Sequence, residues 1–224
     1  MAERTYTTAV ARLRTLPEIF TGSELTVMFG WKSVIASSYL AHWRKAGLVK
    51  SLGGRADVHM NLVRNPQVNP EQALCRAFPQ AIKVGLDRLR ASGWTTQIPT
   101  RPEIAITPIS AHYSIEGFDF VTRTQKWFQI VKPGTDSAAN GIDCLKPAWA
   151  LADMISRAQD KRVRHAWLPD PEDLDLSALD SPKLQQDAQA ALRAFALVPD
   201  ALSTTGYARI ALMKRGFQPG TLTA

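Results

Sequence analysis

The N-terminal part of the chain carries apolar residues at the spacing of an α-helix. Residues 4–15 are predicted to form a first helix, which Pro17 ends because proline lacks the N–H group that a helix interior needs. Thr21 or Ser23 is predicted to cap a second helix, whose run of apolar residues stops at Gly30. The pattern therefore predicts two short helices in this region.

A third helix is predicted from Ser33, as its N-terminal cap, to about Ala46, with Gly47 ending it. Three apolar residues at helical spacing are expected to form its buried stripe: Ala36, Leu40 and Trp43. Four residues at the opposite phase are expected to point outward: Ser37, Ser38, Ala41 and Lys45. The polar residues of this helix are thus available to a partner.

The periodicity changes to that of β-strands after the third helix. The segments "LVKSL" (48–52) and "VHMNLV" (58–63) alternate on either side of Gly53-Gly54-Arg55, which is a typical hairpin signal. Three helices followed by a two-stranded hairpin is the element order of a winged helix-turn-helix. We therefore expect a winged helix-turn-helix domain over residues 1–66.

A second domain is predicted over residues 71–224, after a linker at 64–70 rich in proline and asparagine. Its first part predicts two helices, "PEQALCRAF" and "PQAIKVGLDRLRAS". Short strands are then predicted in "EIAITPI", "HYSIE", "FDFVTRT" and "WFQIVK". Further helices are expected from Lys146 to about Ala158 and over 183–197. The predicted fold class is α+β, with the N-terminal winged helix-turn-helix followed by a mixed α/β domain.

Charge is concentrated in the first domain. The 224-residue chain has a formal net charge of +7, and residues 1–65 hold nine Lys and Arg against four Asp and Glu, a net of +5. A basic surface of this kind favours an acidic partner, and we expect double-stranded DNA. The alternative is a small helical domain that contacts another protein.

The residues predicted to contact DNA lie on the third helix and at the tip of the hairpin. The N-terminal end of a recognition helix presents side chains to base edges, small hydroxyl residues allow close approach, and basic residues suit phosphates. The predicted DNA-binding residues are Lys32, Ser33, Ser37, Ser38, His42, Arg44, Lys45 and Arg55.

Other features limit the chemistry expected of the chain. Two cysteines are too few for a disulfide framework and are not spaced as metal ligands, and the histidines lack the spacing of a helical zinc site. No apolar run is long enough for a membrane span, and the N-terminus lacks the pattern of a signal peptide. We expect a cytoplasmic protein without metal, cofactor or membrane partner.

Two groups of carboxylates raise the alternative that the chain is a nuclease or a nucleotidyltransferase. The "DLD" motif at 173–175 resembles paired metal-binding aspartates, but prolines precede it in a loop. The "DCLK" motif at 143–146, with Glu103 or Asp119 upstream, resembles a nuclease core, but Asp143 stands three residues from Lys146. These placements argue against catalysis, and we predict that the chain is not an enzyme.

Part of the second domain resembles the AbiEi family of antitoxins. The resemblance is carried by "ALCRAFPQAIKVGLDRLRASGWTTQIPTRPEIAIT" (73–107), through Phe78-Pro79, Gly93-Trp94, Thr96-Gln97 and Pro99. The segment "IDCLKPAWALADMI" (142–155) resembles the helix after the sheet in that family, with Leu151 and Asp153 at its Leu-x-Asp step.

The resemblance implies a function. A member of this family would repress its own operon by binding inverted repeats in the promoter through the winged helix. It would also act as antitoxin to a nucleotidyltransferase-like toxin encoded beside it, without requiring a stable complex. The family includes stand-alone regulators, so a regulator without a toxin remains an alternative.

Overall fold

A computed structural model describes the backbone of residues 2–54, 56–108, 115–138, 141–160, 163 and 167–214, and the side chains from residue 8 onward. The chain divides into two compact units. The first comprises Met1–Ala81 with two short segments, of which residues 115–116 and 141–142 are described, and the second comprises the remainder. None of the described helices is both long enough and apolar enough to cross a membrane.

The first unit contains four helices and a three-stranded sheet within its described residues. Its elements are α1 (Ala2–Thr15), β1 (Ile19–Thr21), α2 (Gly22–Phe29), α3 (Ser33–Lys45), β2 (Val49–Ser51), β3 (Val58–Asn61) and α4 (Pro70–Ala77). The strand order is β1-β3-β2, and both pairings are antiparallel. The three predicted helices and the hairpin are present, and the short strand β1 was not predicted.

The core of the first unit joins the three N-terminal helices to the sheet. Leu13, Leu16, Phe20 and Leu25 are among its largest fully buried residues. Asn61, fully buried on β3, donates from Nδ2 to the carbonyl oxygen of Leu13 at 2.7 Å. The Leu13 carbonyl also accepts from the Leu16 N–H at 3.1 Å, so the side-chain bond adds a second donor at the end of α1 and connects that helix to the sheet.

The second unit is built on a mixed five-stranded sheet. Its elements are β4 (Ile82–Val84), α5 (Leu86–Ala91), β5 (Glu103–Ile106), β6 (Asp119–Thr122), α6 (Gln125–Val131), β7 (Thr135–Asp136), β8 (Asp143–Leu145), α7 (Pro147–Gln159), α8 (Pro182–Ala194) and α9 (Thr204–Lys214). The strand order is β6-β5-β4-β8-β7, with β4–β8 and β5–β6 parallel and the other two pairs antiparallel. The predicted α+β class is confirmed.

Helix α7 is the centre of the second unit. Nine of its residues are buried, including the whole run from Ala148 to Ile155, and it packs against α5, α8 and α9. Asp153 lies inside this core at 2% exposure, where Arg123 Nη2 donates to it at 2.6 Å and Trp127 Nε1 at 2.8 Å. The carboxylate is thus compensated as a buried charge requires.

Two secondary-structure predictions in the second unit are wrong. The segment 82–84, predicted within a helix, is strand β4, because Ile82 and Val84 bury on one face between β5 and β8 and Gly85 at φ +73° then turns the chain. The segment predicted as a strand in "WFQIVK" belongs to helix α6, which Thr124 caps by accepting from the Trp127 N–H at 3.3 Å. Both segments are short apolar runs, whose periodicity does not separate helix from strand.

The remaining predicted elements fall close to their expected places. Helices α4, α7 and α8 were predicted, whereas α9 was not. The predicted strand "HYSIE" lies mostly outside the described residues. The compact division falls after Ala81, and α4 contacts β3 of the first unit, so the proposed domain boundary at 66–71 stays a prediction.

Candidate nucleic-acid interface

Stacked aromatic rings fix the turn between α2 and α3. The ring of Trp31 lies 4.6 Å from that of Phe29 and 4.3 Å from that of Tyr39, both in stacked geometry. The guanidinium of Arg12 from α1 lies 5.2 Å from the Trp31 ring centroid and 4.9 Å from that of Tyr39. Cation–π contacts of this kind join three helices around one turn, which sets the direction in which α3 leaves it.

Three side-chain acceptors hold the N-terminal end of α2. Thr21 caps the helix by accepting from the Glu24 N–H at 3.3 Å, and Glu24 accepts in return from the Thr21 N–H at 2.7 Å. Asp57, the residue before β3, accepts from the N–H groups of Gly22 at 3.0 Å and Ser23 at 3.2 Å. Since the first N–H groups of a helix lack partners within it, these bonds tie the hairpin to α2.

His59 lies behind this contact and is 5% exposed. Its Nε2 lies 3.3 Å from Asp57 Oδ1, while Nδ1 has no hydrogen-bond partner among the described residues. Burial lowers the pKa of His59 below its usual value, and the charge and hydrogen bond of Asp57 oppose that effect. The imidazole is therefore held mainly neutral near pH 7.

Helix α3 has one buried face and one exposed face. The predicted buried stripe is confirmed, since Ala36, Leu40 and Trp43 are 2%, 6% and 2% exposed. At about 100° per residue, four exposed side chains point away from that stripe, within roughly 60° of one another. They are Val34, Ser38, Ala41 and Lys45.

The structure places seven of the eight predicted DNA-binding residues on or next to this exposed face. All seven side chains are exposed: Lys32, Ser33, Ser37, Ser38, His42, Arg44 and Lys45. Ser37 and Arg44 flank one side of the outward stripe and His42 the other. Arg55 lies outside the described residues, although the hairpin it belongs to is present, with Gly53 and Gly54 at positive φ. The prediction that Ser33 caps α3 is wrong. Lys32 is the N-cap residue, and its side chain forms no capping hydrogen bond.

Four exposed apolar side chains around the α2–α3 turn were missed in the sequence. They are Val27 at 83%, Met28 at 50%, Val34 at 81% and Ile35 at 44% exposure. For Val34 and Ile35 the sequence held a signal, since neither residue fits the helical phase of the buried stripe of α3. No such signal marked Val27 and Met28 on α2. Large apolar side chains grouped on a surface mark an interaction site more often than single ones do.

The carboxylates considered for nuclease or nucleotidyltransferase chemistry have other partners. Asp143 Oδ1 accepts from the Ala138 N–H at 3.1 Å, and Lys146 Nζ pairs with Asp187 at 3.1 Å. In the "DLD" motif, Asp173 accepts from Gln97 at 2.6 Å. Asp175, also of this motif, accepts from the Ser177 N–H at 2.9 Å, and hydrogen bonds from Ser177 lower its pKa. Across the described residues, no three His, Cys, Asp or Glu side chains gather as a metal site.

An open cavity of about 320 Å³ lies in the second unit. Glu103 and Asp119 line it, and arginines pair with both: Arg157 lies 3.4 Å from Glu103, and Arg101 lies 3.8 Å from Asp119. Trp167, 53% exposed, also lines the cavity. The paired carboxylates contribute little net charge for a cation, so the cavity does not resemble a two-metal centre.

Comparison with known proteins supports the fold. No protein-family model matches the chain, and no curated protein matches its sequence. A solved structure, that of the RV2827C protein from Mycobacterium tuberculosis, is similar with a TM-score of 0.52 and 15% sequence identity. The similarity covers 93% of this chain and 79% of that one. At this identity the likeness concerns the fold alone.

Proposed function

We propose that the chain is a sequence-specific DNA-binding protein in which α3 enters the major groove. The observation that carries the proposal is the exposed surface of α3. That surface has no carboxylate, small side chains along its middle, Lys32 at one end and Arg44 and Lys45 at the other. A duplex offers phosphates at the groove edges and bases between them, which matches this order.

The topology of the first unit supports the proposal. Its order of α1, β1, α2, α3, β2 and β3, with the strands arranged β1-β3-β2, is the one expected of a winged helix. In that arrangement α2 crosses the DNA backbone, α3 is the recognition helix, and the loop between β2 and β3 is the wing. The wing would include Arg55, for which a phosphate or minor-groove contact remains a prediction.

The basic residues of the first unit differ in their contacts, which sharpens the proposal. Arg12 stacks on aromatic rings, and Arg64 Nη1 donates to the Arg14 carbonyl at 3.0 Å, so both have structural contacts. The basic residues of α3 are exposed and also lie near the helix C-terminus, where positive charge stabilises a helix by about 0.5 kcal/mol. That stabilisation does not involve Lys32, which precedes the helix.

The experiment measures the affinity of the full chain for DNA against salt. Duplexes selected from a random pool are compared with scrambled duplexes by fluorescence anisotropy. Lys45→Gln should lower the slope of log K against log salt by about one for each phosphate that the protein no longer neutralises, and Lys32→Gln should do the same. Lys183→Gln, on an exposed lysine of the second unit, is the matched control and should leave the slope unchanged.

Two outcomes would refute DNA binding by α3. One is a failure to select any duplex over scrambled sequence at low salt. The other is specific binding whose salt slope is unaffected by both Lys32→Gln and Lys45→Gln, since the DNA would then contact another surface.

Ser37→Ala or Ser38→Ala should change the preference between related duplexes by about 1 kcal/mol, as expected for a base contact.

We further propose that the protein is a repressor of its own operon and the antitoxin of a nucleotidyltransferase-like toxin. This finer proposal rests on the resemblance of residues 73–107 and 142–155 to AbiEi antitoxins. Several residues that carry the resemblance have structural roles here: Gly93 ends α5 at φ +77°, Trp94 is buried at 2% exposure, and Asp153 forms the buried ion pair. They support a shared fold more directly than a shared activity.

The antitoxin role has its own test. The gene is expressed together with a neighbouring nucleotidyltransferase-like frame, and growth is compared with expression of that frame alone. Rescue of growth by the full chain supports the role, and toxicity that persists while the chain accumulates in folded form contradicts it. A reporter fused to the promoter of the operon separates repression from rescue.

We propose no catalytic activity. A plasmid-cleavage assay with Mg²⁺ and Mn²⁺ tests this. Cleavage that disappears in Asp143→Ala would support the nuclease alternative instead.

The protein-binding alternative is favoured by Val27 and Met28, whose side chains are exposed next to the α2–α3 turn. It predicts a folded chain that binds random and selected duplexes equally weakly.

A further inference from the structure

The most exposed apolar side chain on α3 is that of Val34, in the first turn of the helix. It is 81% exposed and lies in the outward stripe with Ser38, Ala41 and Lys45. Its exposure is not a consequence of poor helix packing, because Ala36 and Leu40 on the opposite face are buried. A β-branched side chain in this position is held in few rotamers and presents its two methyl groups outward with little entropy to lose on binding.

The first two turns of α3 lack the side chains that usually read purines. Residues 33–40 are "SVIASSYL" and contain no Arg, Lys, Asn or Gln, the residues that form bidentate hydrogen bonds to guanine or adenine. The exposed side chains of this segment are apolar at Val34 and Ile35 and carry hydroxyl groups at Ser33, Ser37 and Ser38. Thymine is the one base of normal DNA with a methyl group in the major groove.

We infer that Val34 is a specificity-determining residue that contacts the C5-methyl group of a thymine in the major groove. The inference rests on the proposed function and specifies which group of the DNA the exposed face of α3 recognises. Charge complementarity supports a duplex as the occupant of this apolar surface, because exposed lysines stand before and after Val34 at positions 32 and 45 and α3 has no acidic residue. The serines beside Val34 are small enough to let the helix backbone approach the base edges.

The test replaces single thymines by deoxyuridine, which removes the methyl group and keeps the base pair. A duplex is first selected from a random pool with the full chain, and each thymine in it is then replaced in turn. We expect one replacement at the Val34 contact to weaken binding about fourfold, the equivalent of one buried methyl group at about 0.8 kcal/mol. Replacement at thymines outside the contact should change binding less than twofold.

The decisive variant is Val34→Ala. It should weaken binding to the thymine duplex by a similar factor and bind the thymine and deoxyuridine duplexes nearly equally well, because the two γ-methyl groups that reach the thymine methyl are gone and the remaining Cβ is too short to contact it. Val198→Ala is the matched control, since Val198 is an exposed valine of the second unit at 49% exposure. This control should retain the fourfold difference between the two duplexes.

Each contrary outcome identifies what has failed. If Val34→Ala binds the selected duplex and keeps the full preference for thymine over deoxyuridine, Val34 does not read the methyl group, while DNA binding stands. If Val34→Ala instead lowers self-association in sedimentation and leaves DNA affinity unchanged, the apolar surface belongs to a second copy of the chain. If the chain selects no duplex at all, the proposed function fails together with this inference.

Discussion

Asp57 is expected to stabilise the first unit although its side chain is 59% exposed. Its carboxylate accepts from the N–H groups of Gly22 and Ser23 in the first turn of α2 and lies 3.3 Å from Nε2 of His59. One side chain therefore connects the β2–β3 hairpin, the N-terminus of α2 and a buried imidazole. We predict that Asp57→Ala weakens all three contacts.

The magnitude follows from two contributions. Loss of the acceptor at the start of a helix costs about 1 kcal/mol, within a range of roughly 0.5–2 kcal/mol. Loss of the acceptor for a buried His59 nitrogen costs about 1 kcal/mol, near the low end for an unsatisfied group because water can enter where Asp57 stood. The free energy of unfolding of the first unit should fall by about 2 kcal/mol.

Hydrogen–deuterium exchange followed on the full chain is the appropriate assay, because two compact units need not unfold in one transition. Exchange of the Gly22 and Ser23 amides should become about thirtyfold faster, the factor equivalent to 2 kcal/mol. Asp57→Asn keeps one acceptor oxygen and should lose about half as much. Asp200→Ala removes an exposed aspartate of the second unit that pairs with Arg209 at 2.8 Å, and should cost under about 0.5 kcal/mol.

A specific result would refute this reasoning. If Asp57→Ala unfolds within about 0.5 kcal/mol of the wild type and the two amides exchange at unchanged rates, the carboxylate does not cap α2. If the amides exchange faster in Asp57→Ala while His59 keeps its pKa, the contact with the imidazole contributes nothing and only the helix cap is real. Titration of His59 by NMR separates these two results.

Three further predictions follow. Burial lowers the pKa of His59, so its contribution to stability is present above the unfolded-state pKa near 6.5 and is lost as the pH falls through the lowered folded-state pKa. The wild type should therefore have a higher urea midpoint at pH 7.5 than at pH 5, and this difference should be smaller in His59→Gln. Asn61→Ala should cost the first unit about 1–2 kcal/mol, measured by thermal unfolding, because the Leu13 carbonyl loses its side-chain donor and keeps only the bond from the Leu16 N–H. Gly134→Ala should destabilise the second unit by about 1–3 kcal/mol in urea, since a Cβ atom there would overlap the ring of Trp149; unchanged midpoints would show that the ring moves freely.

Local sequence patterns gave correct predictions where one strong period governs a segment. Helix α3 was predicted almost to the residue, because Ala36, Leu40 and Trp43 repeat at helical spacing and Gly47 follows with φ +68°. The hairpin was also predicted, since paired glycines between two alternating segments specify a turn. These features depend on neighbouring residues and can therefore be predicted without the rest of the chain.

Short apolar runs gave the wrong predictions, because their conformation depends on distant partners. Strand β4 is three residues long and exists because β5 and β8 bond to it on both sides. The opposite error occurred at α6. Its apolar run has a pattern typical of a strand, but the segment forms a helix whose aromatic residues pack in the core of the second unit. In both cases tertiary hydrogen bonds and burial override local propensity.

The candidate interface likewise combines features that local sequence patterns predict with features that tertiary packing creates. The pattern of residues was enough to predict that the first domain is basic and that α3 exposes serines and a lysine opposite its apolar stripe. The exposure of Val27 and Met28 follows from tertiary packing, as does the contact by which Asp57 holds the N-terminus of α2 from thirty-five residues away. The physical reason is that the period of a helix fixes which residues share a face, whereas the packing of other elements decides which face stays open to solvent.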